Sequence, residues 1–312
     1  MIGFTYLRRG MGASGETPPP VSDYAVEYST NPAFMYRLWS TGYAAHPEYM
    51  TKAEAAAVTS FPDQFMANNT KLTSLDELQW FSLTAIPKYF ASGCTNLVTA
   101  KIPQTCTWIK EGAFFNLGNK FNCDLDLSNV TRIDKMAFQN DRLKDVILSN
   151  NLTIIGDSAF YNNSTMKINT SLSSVTTLGN TAFQQCSSLD SEISLDNLSG
   201  STYRTFLYCT NIPKLIIGNG VTTLGQYTIA NTNVKYIDIG TGVTTINAEA
   251  LAGNQILLSI IIRATTPPTL ANINAFSNTN NCPIYVPAES VEAYKAASVW
   301  TSLASRIQAI ST

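Results

Sequence analysis

Two aspartates lie two residues apart in the segment DLDL, at Asp124 and Asp126. On a β-strand this spacing places both carboxylates on one face with backbones about 7 Å apart. A carboxylate pair at that separation can hydrolyse a glycosidic bond. Neighbouring exposed acids on a solvated strand are far more common than such a pair. We therefore expect both aspartates to belong to a surface, and we expect no catalytic residue here.

Histidine-dependent chemistry would have to use His46, because the chain has a single histidine. The interpretation we prefer for this residue is an exposed loop position before Pro47, not a partner for a serine or cysteine nucleophile. The segment GMGASG at 10–15 has the glycine spacing of a dinucleotide-binding loop. ETPPPV follows where that motif requires a helix to face the pyrophosphate. The sequence therefore predicts neither an enzyme nor a cofactor.

The six cysteines could in principle bind a metal or form disulfides. No CxxC pair is present, so we expect no metal site. Cys94, Cys186 and Cys209 occupy the same position in a repeat described below, which favours buried free thiols that pack as small hydrophobic side chains. The sequence assigns no role to the other three cysteines.

Composition limits the classes of partner. Of the 312 residues, 45% are hydrophobic and 13% are charged, and 20 basic against 22 acidic residues give a net charge of -2. This balance predicts no nucleic-acid binding and no attraction to an anionic membrane. The longest apolar run is far shorter than the roughly 20 residues of a membrane-spanning helix. The first residues, MIGFTYLRRG, do not have the order of a secretory signal peptide, which leaves the export route open.

Pairs of the type Ala-Phe recur through the chain and mark one corner of a repeating unit. Consecutive anchors, taken as the Phe or the residue in its place, lie 22 to 25 residues apart. A leucine-rich pattern with a period of about 20–29 residues predicts a leucine-rich-repeat solenoid. The anchors are Phe65, Phe90, Phe114, Phe138, Phe160, Phe183, Phe206, Ile229, Leu251 and Phe276.

Each unit can be read as one coil of this solenoid. After the anchor, expected on a short helical or 3₁₀ turn, an Asn or Cys should lie inside the coil, as at Asn162, Cys186, Cys209, Asn231 and Asn254. A short strand with alternating apolar residues follows, then a polar turn and a second β-branched stretch such as VTTL. We expect the first strands to form one parallel sheet on the concave face of a horseshoe. They should end at Ile102, Leu127, Leu148, Leu195, Ile217, Ile239, Ile262 and Val286.

An array of coils needs caps at both ends, because its first and last coils would otherwise expose their apolar interiors. Residues 1–20 read as a flexible tail, and 21–57 as an N-terminal cap with a helix at about 51–60. Thr51 and Glu54 form the capping box of that helix. The array is predicted at 58–281, with about nine turns. A strand and a helical cap are predicted at 282–312.

Several segments resemble one repeat class. IGDSAFYNN, LGNTAFQQCSSL, VTTLG and the ending IYVPAESVEAYKAA are similar to the BspA-like leucine-rich-repeat proteins, and the lead-in around MTKAEAAAVTS resembles proteins of gut Bacteroidetes and their phages. The resemblance implies a surface or secreted adhesion-type protein, in a family where some members bind host matrix proteins. The repeat departs from the pattern at 161–178 and at 196–206, where we expect irregular geometry.

The outward residues of the first strands are the candidate binding surface. Acidic side chains group toward the N-terminal half, and apolar or aromatic ones toward the C-terminal half, a composition that favours contact with a protein or a carbohydrate. Apolar outward residues that only serve strand propensity are an equally weighted alternative. The first hypothesis is a non-enzymatic recognition or adhesion module; the other is a structural or phage-associated assembly component without a small ligand. The candidate residues are Asp124, Asp126, Asp145, Ile216, Tyr236, Asp238, Ile261 and Tyr285.

Overall fold

The computed structural model describes residues 18–311, and two series of parallel strands run through most of that range. Each coil up to the strand Ser259–Ile262 contributes one strand to each series, and inward apolar residues alternate with outward polar ones in these strands as predicted. The last two strands of the first series have no counterpart in the second series among the described residues. The first-strand series comprises Ser74–Leu75, Thr99–Ala100, Leu125–Leu127, Asp145–Leu148, Lys167–Ile168, Ile193–Leu195, Lys214–Ile217, Tyr236–Ile239, Ser259–Ile262, Ile284–Val286 and Ile307–Ala309. The second-strand series comprises Ala85–Ile86, Trp108–Ile109, Arg132–Ile133, Ile154–Ile155, Thr177–Leu178, Gly200–Thr202, Val221–Leu224, Thr245–Ile246 and Thr269–Leu270.

The first strands are hydrogen-bonded in three parallel sheets, not in the single sheet expected from the sequence. The sheets contain two, three and six strands in chain order, and the last runs from Ile193–Leu195 to Ile307–Ala309. The second strands form sheets of five and four. Between the three-stranded and six-stranded sheets, the hydroxyls of Ser187 and Ser188 donate to the carbonyl of Ser164, at 3.1 and 2.7 Å. Side-chain hydrogen bonds thus replace backbone pairing where the sequence departs from the repeat.

Each coil up to the anchor Leu251 turns at the anchor through two residues in the left-handed region. They lie two positions before and two after the anchor, as with Met136 and Asn140, at φ 56° and 62°, around Phe138. Asparagine tolerates this region better than most residues. Backbone N–H groups at the corner still bond to the next coil, for example Phe138 N to Ala159 O at 2.8 Å. The corner is therefore a turn in most coils, and a 3₁₀ helix forms it at Ile273–Phe276.

This ladder corrects the first two anchors. Met66 N bonds to Phe90 O, and Ala91 N bonds to Ala113 O. Phe114 and the later anchors bond in the same pattern to the residue that precedes the anchor of the next coil. Met66 and Ala91 therefore hold the anchor position, and Phe65 and Phe90 lie one residue earlier. All four side chains are buried. The order of Ala and Phe is exchanged at Phe90, and an aromatic ring can fill the coil from either position.

The residue inside the coil also lies one position later than predicted in two coils. Asn162 and Asn231 have φ of 60° and 53°, and they take the left-handed corner position. Asn163 and Thr232 lie inside instead, fully buried. Cys186, Cys209 and Asn254 are placed as expected. Among these thiols, Cys186 Sγ donates to the carbonyl of the preceding anchor at 3.0 Å, so the buried donor is satisfied.

The aromatic anchors form a column along the middle of the array. Rings at consecutive anchors from Phe114 to Phe206 stack with centroids 5.3 to 5.7 Å apart and nearly parallel planes. Phe121 also stacks on Phe114, with ring centroids 6.0 Å apart. Offset aromatic stacking adds about 0.5 to 1.5 kcal/mol per pair beyond apolar burial. The column therefore ties neighbouring coils together independently of the sheets.

The N-terminal end contains more regular structure than the sequence predicted. Tyr24–Glu27 and Tyr49–Thr51 pair as antiparallel strands around a helix at Pro32–Ser40. The helix Lys52–Ala57 follows, and Thr51 and Glu54 make both bonds of the expected capping box. It ends at Val58, which is extended. The 3₁₀ helices Val21–Asp23, Asp76–Trp80 and Gly118–Lys120 also lie in this half. Residues 1–17, the larger part of the predicted tail, lie outside the described residues.

The C-terminal end closes the last coil with a helix and an additional strand. The 3₁₀ helix Ala288–Ser290 leads into the helix Val291–Ala296, and the 3₁₀ helix Trp300–Arg306 follows. Tyr294 and Trp300 are buried, and their hydroxyl and indole N–H donate to backbone carbonyls at 2.8 and 2.7 Å. Ile307, expected on a helix, begins the strand Ile307–Ala309, which pairs in parallel with Ile284–Val286. The cap therefore extends the six-stranded sheet.

Candidate recognition surface

The C-terminal group of predicted surface residues lies on adjacent strands of the six-stranded sheet. Ile216 is the register partner of Asp238, which partners Ile261, which in turn partners Tyr285. Strands in a sheet lie about 4.8 Å apart, so these side chains form a continuous outward row. Each is partly buried by its neighbours. Strand pairing thus brings together residues that are 69 positions apart in the sequence.

Tyr236 lies two positions before Asp238 on the same strand and therefore on the same face. Its register partners are Lys214 on one side and Ser259 on the other. The side chain is 46% exposed, which is high for an aromatic residue in the middle of a sheet. Here and below, the recognition face means Ile216, Tyr236, Asp238, Ile261 and Tyr285.

The one charge in this face is compensated. Arg263 follows the strand that carries Ile261, and its Nε and Nη2 each bond a different carboxylate oxygen of Asp238, both at 2.7 Å. This bidentate geometry is the strongest form of a charge-assisted pair. Sequence analysis missed Arg263 because it lies beyond the strand. The alternation of the preceding residues would have placed it near Asp238.

The acidic group lies on the three-stranded sheet, apart from the recognition face. Asp124, Asp126 and Asp145 are exposed as predicted. Asp126 Oδ1 accepts from Ser128 N at 2.9 Å, and Asp124 Oδ1 accepts from Asp145 N at 3.4 Å. Both carboxylates of the considered catalytic pair therefore bond backbone N–H groups, which gives them a structural role in the turn and the ladder.

The strand that carries Lys167 is shifted relative to the strand before it. Lys167 is the register partner of Asp145, whereas regular spacing of the coils would place it beside Ile147. The irregular coil at 161–178 moves its strand by two residues. Lys167 Nζ also bonds Asp190 Oδ2 at 2.5 Å, which is the main cause of its raised pKa, and the charge of Asp145 adds to it. This exposed ion pair spans the interruption between the two sheets and contributes little to stability.

The remaining candidates for chemistry are clusters of metal ligands and His46. No group of three or more His, Cys, Asp or Glu side chains within residues 18–311 is arranged to hold a metal ion. His46 is exposed, and its ring stacks on Tyr49 with centroids 4.6 Å apart. The outward side of the six-stranded sheet, in contrast, has a neutral and partly apolar centre.

Sequence comparison agrees with the architecture. A profile described as BspA type leucine rich repeat region, in six copies, matches residues 59–190 and 191–297. The chain belongs to the BspA-type leucine-rich-repeat family. The matched range contains all the candidate surface residues and both strand series up to Ile284–Val286. No curated protein sequence matches the chain significantly.

Solved structures similar to this BspA-type chain include a leucine-rich repeat protein from Bacteroides ovatus. It is 22% identical with a TM-score of 0.61, and the alignment covers 77% of this chain and 60% of that one. At this identity the likeness shows the fold alone, and the chain spans 60% of the length of that protein. A leucine rich cell surface protein from Faecalibacterium prausnitzii is 18% identical, with 82% and 87% coverage and a TM-score of 0.38.

Within residues 18–311 of this BspA-type chain, no helix is both long and apolar enough to cross a bilayer.

Proposed function

We propose that this BspA-type chain is a non-enzymatic recognition module, which binds a protein or glycan ligand through the recognition face, at a cell surface or outside the cell. The observation that carries the proposal is the exposed Tyr236 beside the continuous row of Ile216, Asp238, Ile261 and Tyr285 on four paired strands. Aromatic residues with a central apolar patch and few free charges are enriched where proteins bind ligands.

The electrostatics support the same proposal. The bidentate bond from Arg263 fixes the Asp238 carboxylate, so a ligand that covers the face meets a compensated pair. An isolated charge would instead have to lose its water on binding, which is costly. Family membership supports a binding role, because these repeats form scaffolds that present surfaces and carry no family-wide catalytic residue.

The test is a screen of the intact protein against glycan and extracellular-matrix protein arrays, followed by titration of each ligand found. Tyr236→Ala should weaken binding by at least about tenfold, because truncating a central aromatic contact typically costs more than 1.4 kcal/mol. Tyr208→Ala is the matched control, since Tyr208 is 47% exposed and lies at a corner away from this sheet. It should leave binding unchanged.

Two outcomes would contradict the proposal. If Tyr236→Ala binds every ligand as the unchanged protein does, the recognition face is not the binding surface. If the arrays yield no ligand, and the protein is instead recovered in a stable assembly with neighbouring gene products, the structural or phage-associated role is the correct one.

A further inference from the structure

A cavity of about 630 Å³ lies between the loop of the last coil and the C-terminal cap. Residues 273–283 form one wall, and residues 302–308 form the other. This volume is within the range of about 300–1,000 Å³ for sites that hold small molecules. Sequence patterns do not predict this cavity, because the cap was expected to be helical and to cover this end of the coil.

Arg306 contributes the only charge among the residues that line the cavity. Its Nε donates to the carbonyl of Cys282 at 2.8 Å, and Nη2 donates to Thr279 Oγ1 at 3.1 Å and to Cys282 Sγ at 3.5 Å. The guanidinium also lies over the ring of Phe276, 5.9 Å from its centroid. These contacts fix one edge of the guanidinium and leave the N–H groups of Nη1 without a hydrogen-bond acceptor among the described residues.

No carboxylate of residues 18–311 pairs with Arg306. The ion pairs of the described part of the chain join other residues. A half-buried guanidinium whose position is fixed, whose charge is uncompensated and whose Nη1 N–H groups are free suits an anion that accepts charge-assisted bonds from Nη1. A carboxylate can accept these bonds.

The rest of the lining selects for hydroxyl groups. Amide and hydroxyl side chains surround the cavity, and these neutral groups both donate and accept hydrogen bonds. Ile273, 42% exposed, and Pro283 add an apolar strip on which the C–H face of a ring can rest. The neutral polar side chains are Asn274, Ser277, Asn278, Asn281, Ser302, Ser305 and Gln308.

We infer that this cap pocket binds a hydroxylated carboxylate, such as a uronic acid, with the carboxylate on Arg306 and the ring hydroxyls on the surrounding amide and hydroxyl side chains. Gln308 lines the pocket and is also the register partner of Tyr285. The pocket thus adjoins the recognition face, but its ligand class follows from Arg306 and the neutral lining alone and does not depend on that face.

The test is a titration followed by the backbone amide NMR signals of Ser305 and Gln308. Glucuronic acid should bind saturably with a Kd on the order of millimolar, as expected for one small polar ligand. Glucose lacks the carboxylate and acetate lacks the hydroxyls, so each should bind at least about tenfold more weakly. A disaccharide that ends in glucuronic acid tests whether the ligand is a glycan terminus or a free sugar acid. If the ligand is a glycan terminus, the disaccharide should bind more tightly than glucuronic acid.

Ser305→Glu is the decisive variant, because Ser305 is exposed and its replacement places a carboxylate beside Arg306 without removing the bonds that hold the loop. Binding of glucuronic acid should fall by at least about tenfold, which corresponds to 1.4 kcal/mol. Ser199→Glu adds the same charge at an exposed site outside the pocket and should leave binding unchanged.

The inference fails if glucuronic acid does not bind saturably, if glucose binds as tightly, or if Ser305→Glu binds like the unchanged protein. Tyr236→Ala should leave the titration unaffected. If Tyr236→Ala loses the array ligands but still binds glucuronic acid, the recognition face and the cap pocket are two distinct binding sites.

Discussion

Replacing Asp141 by asparagine should stabilise the protein at neutral pH. Asp141 lies three residues after the anchor of its coil and is 2% exposed. Its Oδ1 accepts from Leu117 N at 2.9 Å, whereas Oδ2 has no partner. Asn254 holds the same position in a later coil. It accepts from Thr232 N at 3.0 Å, and its Nδ2 donates to the anchor carbonyls of its own and the preceding coil, at 2.7 and 2.6 Å.

The physical reason is that a carboxylate cannot make the donor bonds of an amide. Burial raises the pKa of Asp141 well above its ordinary value, against the opposing effect of the bond from Leu117 N. The raised pKa means that the folded state holds this proton at pH values where the unfolded chain has released it. The stabilising contribution is therefore complete below the unfolded pKa of about 3.9 and is lost as pH rises toward the folded pKa.

The magnitude follows from the linkage relation. Each pH unit between the two pKa values costs 1.36 kcal/mol, so at pH 7 the loss is at most about 4 kcal/mol. Asn carries donors at all pH values, and Asp141→Asn should make the same bonds as Asn254. We expect the two proteins to unfold with similar free energies near pH 4 and the variant to be more stable by up to about 4 kcal/mol at pH 7.

Urea unfolding, followed by circular dichroism across this pH range, measures the difference. Asp126→Asn is the control, because it removes the same charge at an exposed position and should change stability by no more than about 0.5 kcal/mol. The reasoning would be refuted if the unfolding free energies of Asp141→Asn and of the unchanged protein ran parallel from pH 4 to pH 8. That result would show that Asp141 is ionised and fully hydrogen-bonded in the folded protein.

Three further changes test the coil. Phe160→Ala should destabilise the protein by about 3–5 kcal/mol, because it removes a fully buried ring from the column. Tyr161→Ala, at the half-buried neighbour, should cost less than half as much. Equal losses of unfolding free energy in urea would show that the register of the coil is wrong. Cys186 and Cys209 should not react with a thiol reagent in the native protein, where burial raises the pKa of Cys186 to about 12. Both should react after denaturation without reductant. Thiols that stay unreactive in the denatured protein would indicate a disulfide. Asn254→Ala should cost at least about 2 kcal/mol, because it leaves buried carbonyls and an N–H unpaired, and a thermal shift near zero would show that water replaces the amide.

Much of the fold follows from hydrophobic periodicity. The inward residues of both strand series, the capping box at Thr51 and the placement of Cys186 and Cys209 depend on local patterns that repeat at a constant spacing. The anchors at Phe65 and Phe90 were one residue out because an aromatic ring reaches the coil interior from either of two adjacent positions. Backbone conformation decides between them, and it is set by the left-handed corner residues.

Other features depend on contacts that a repeat pattern does not encode. The helix Pro32–Ser40 carries a readable signal, since Asn31 caps it and Pro32 occupies its first turn. The strand Ile307–Ala309 does not, because its pairing with Ile284–Val286 is set by how the cap packs. The outward row of the recognition face was predictable because period-two alternation fixes a face. Arg263 and Arg306 were missed because their partners lie on other coils.

The interruption of both strand series has a mechanical consequence. Between Lys167–Ile168 and Ile193–Leu195, and between Thr177–Leu178 and Gly200–Thr202, no sheet pairing joins the coils. The corner ladder continues there, with Phe160 N bonded to Ala182 O at 2.9 Å and Phe183 N to Thr205 O at 3.1 Å. Stiffness against bending is therefore lowest at this junction, with the corner as the axis. A pulling force, or a ligand that strains the array, should first separate the strands on the two sides of this junction. The three-stranded and six-stranded sheets should then rotate relative to each other as rigid units.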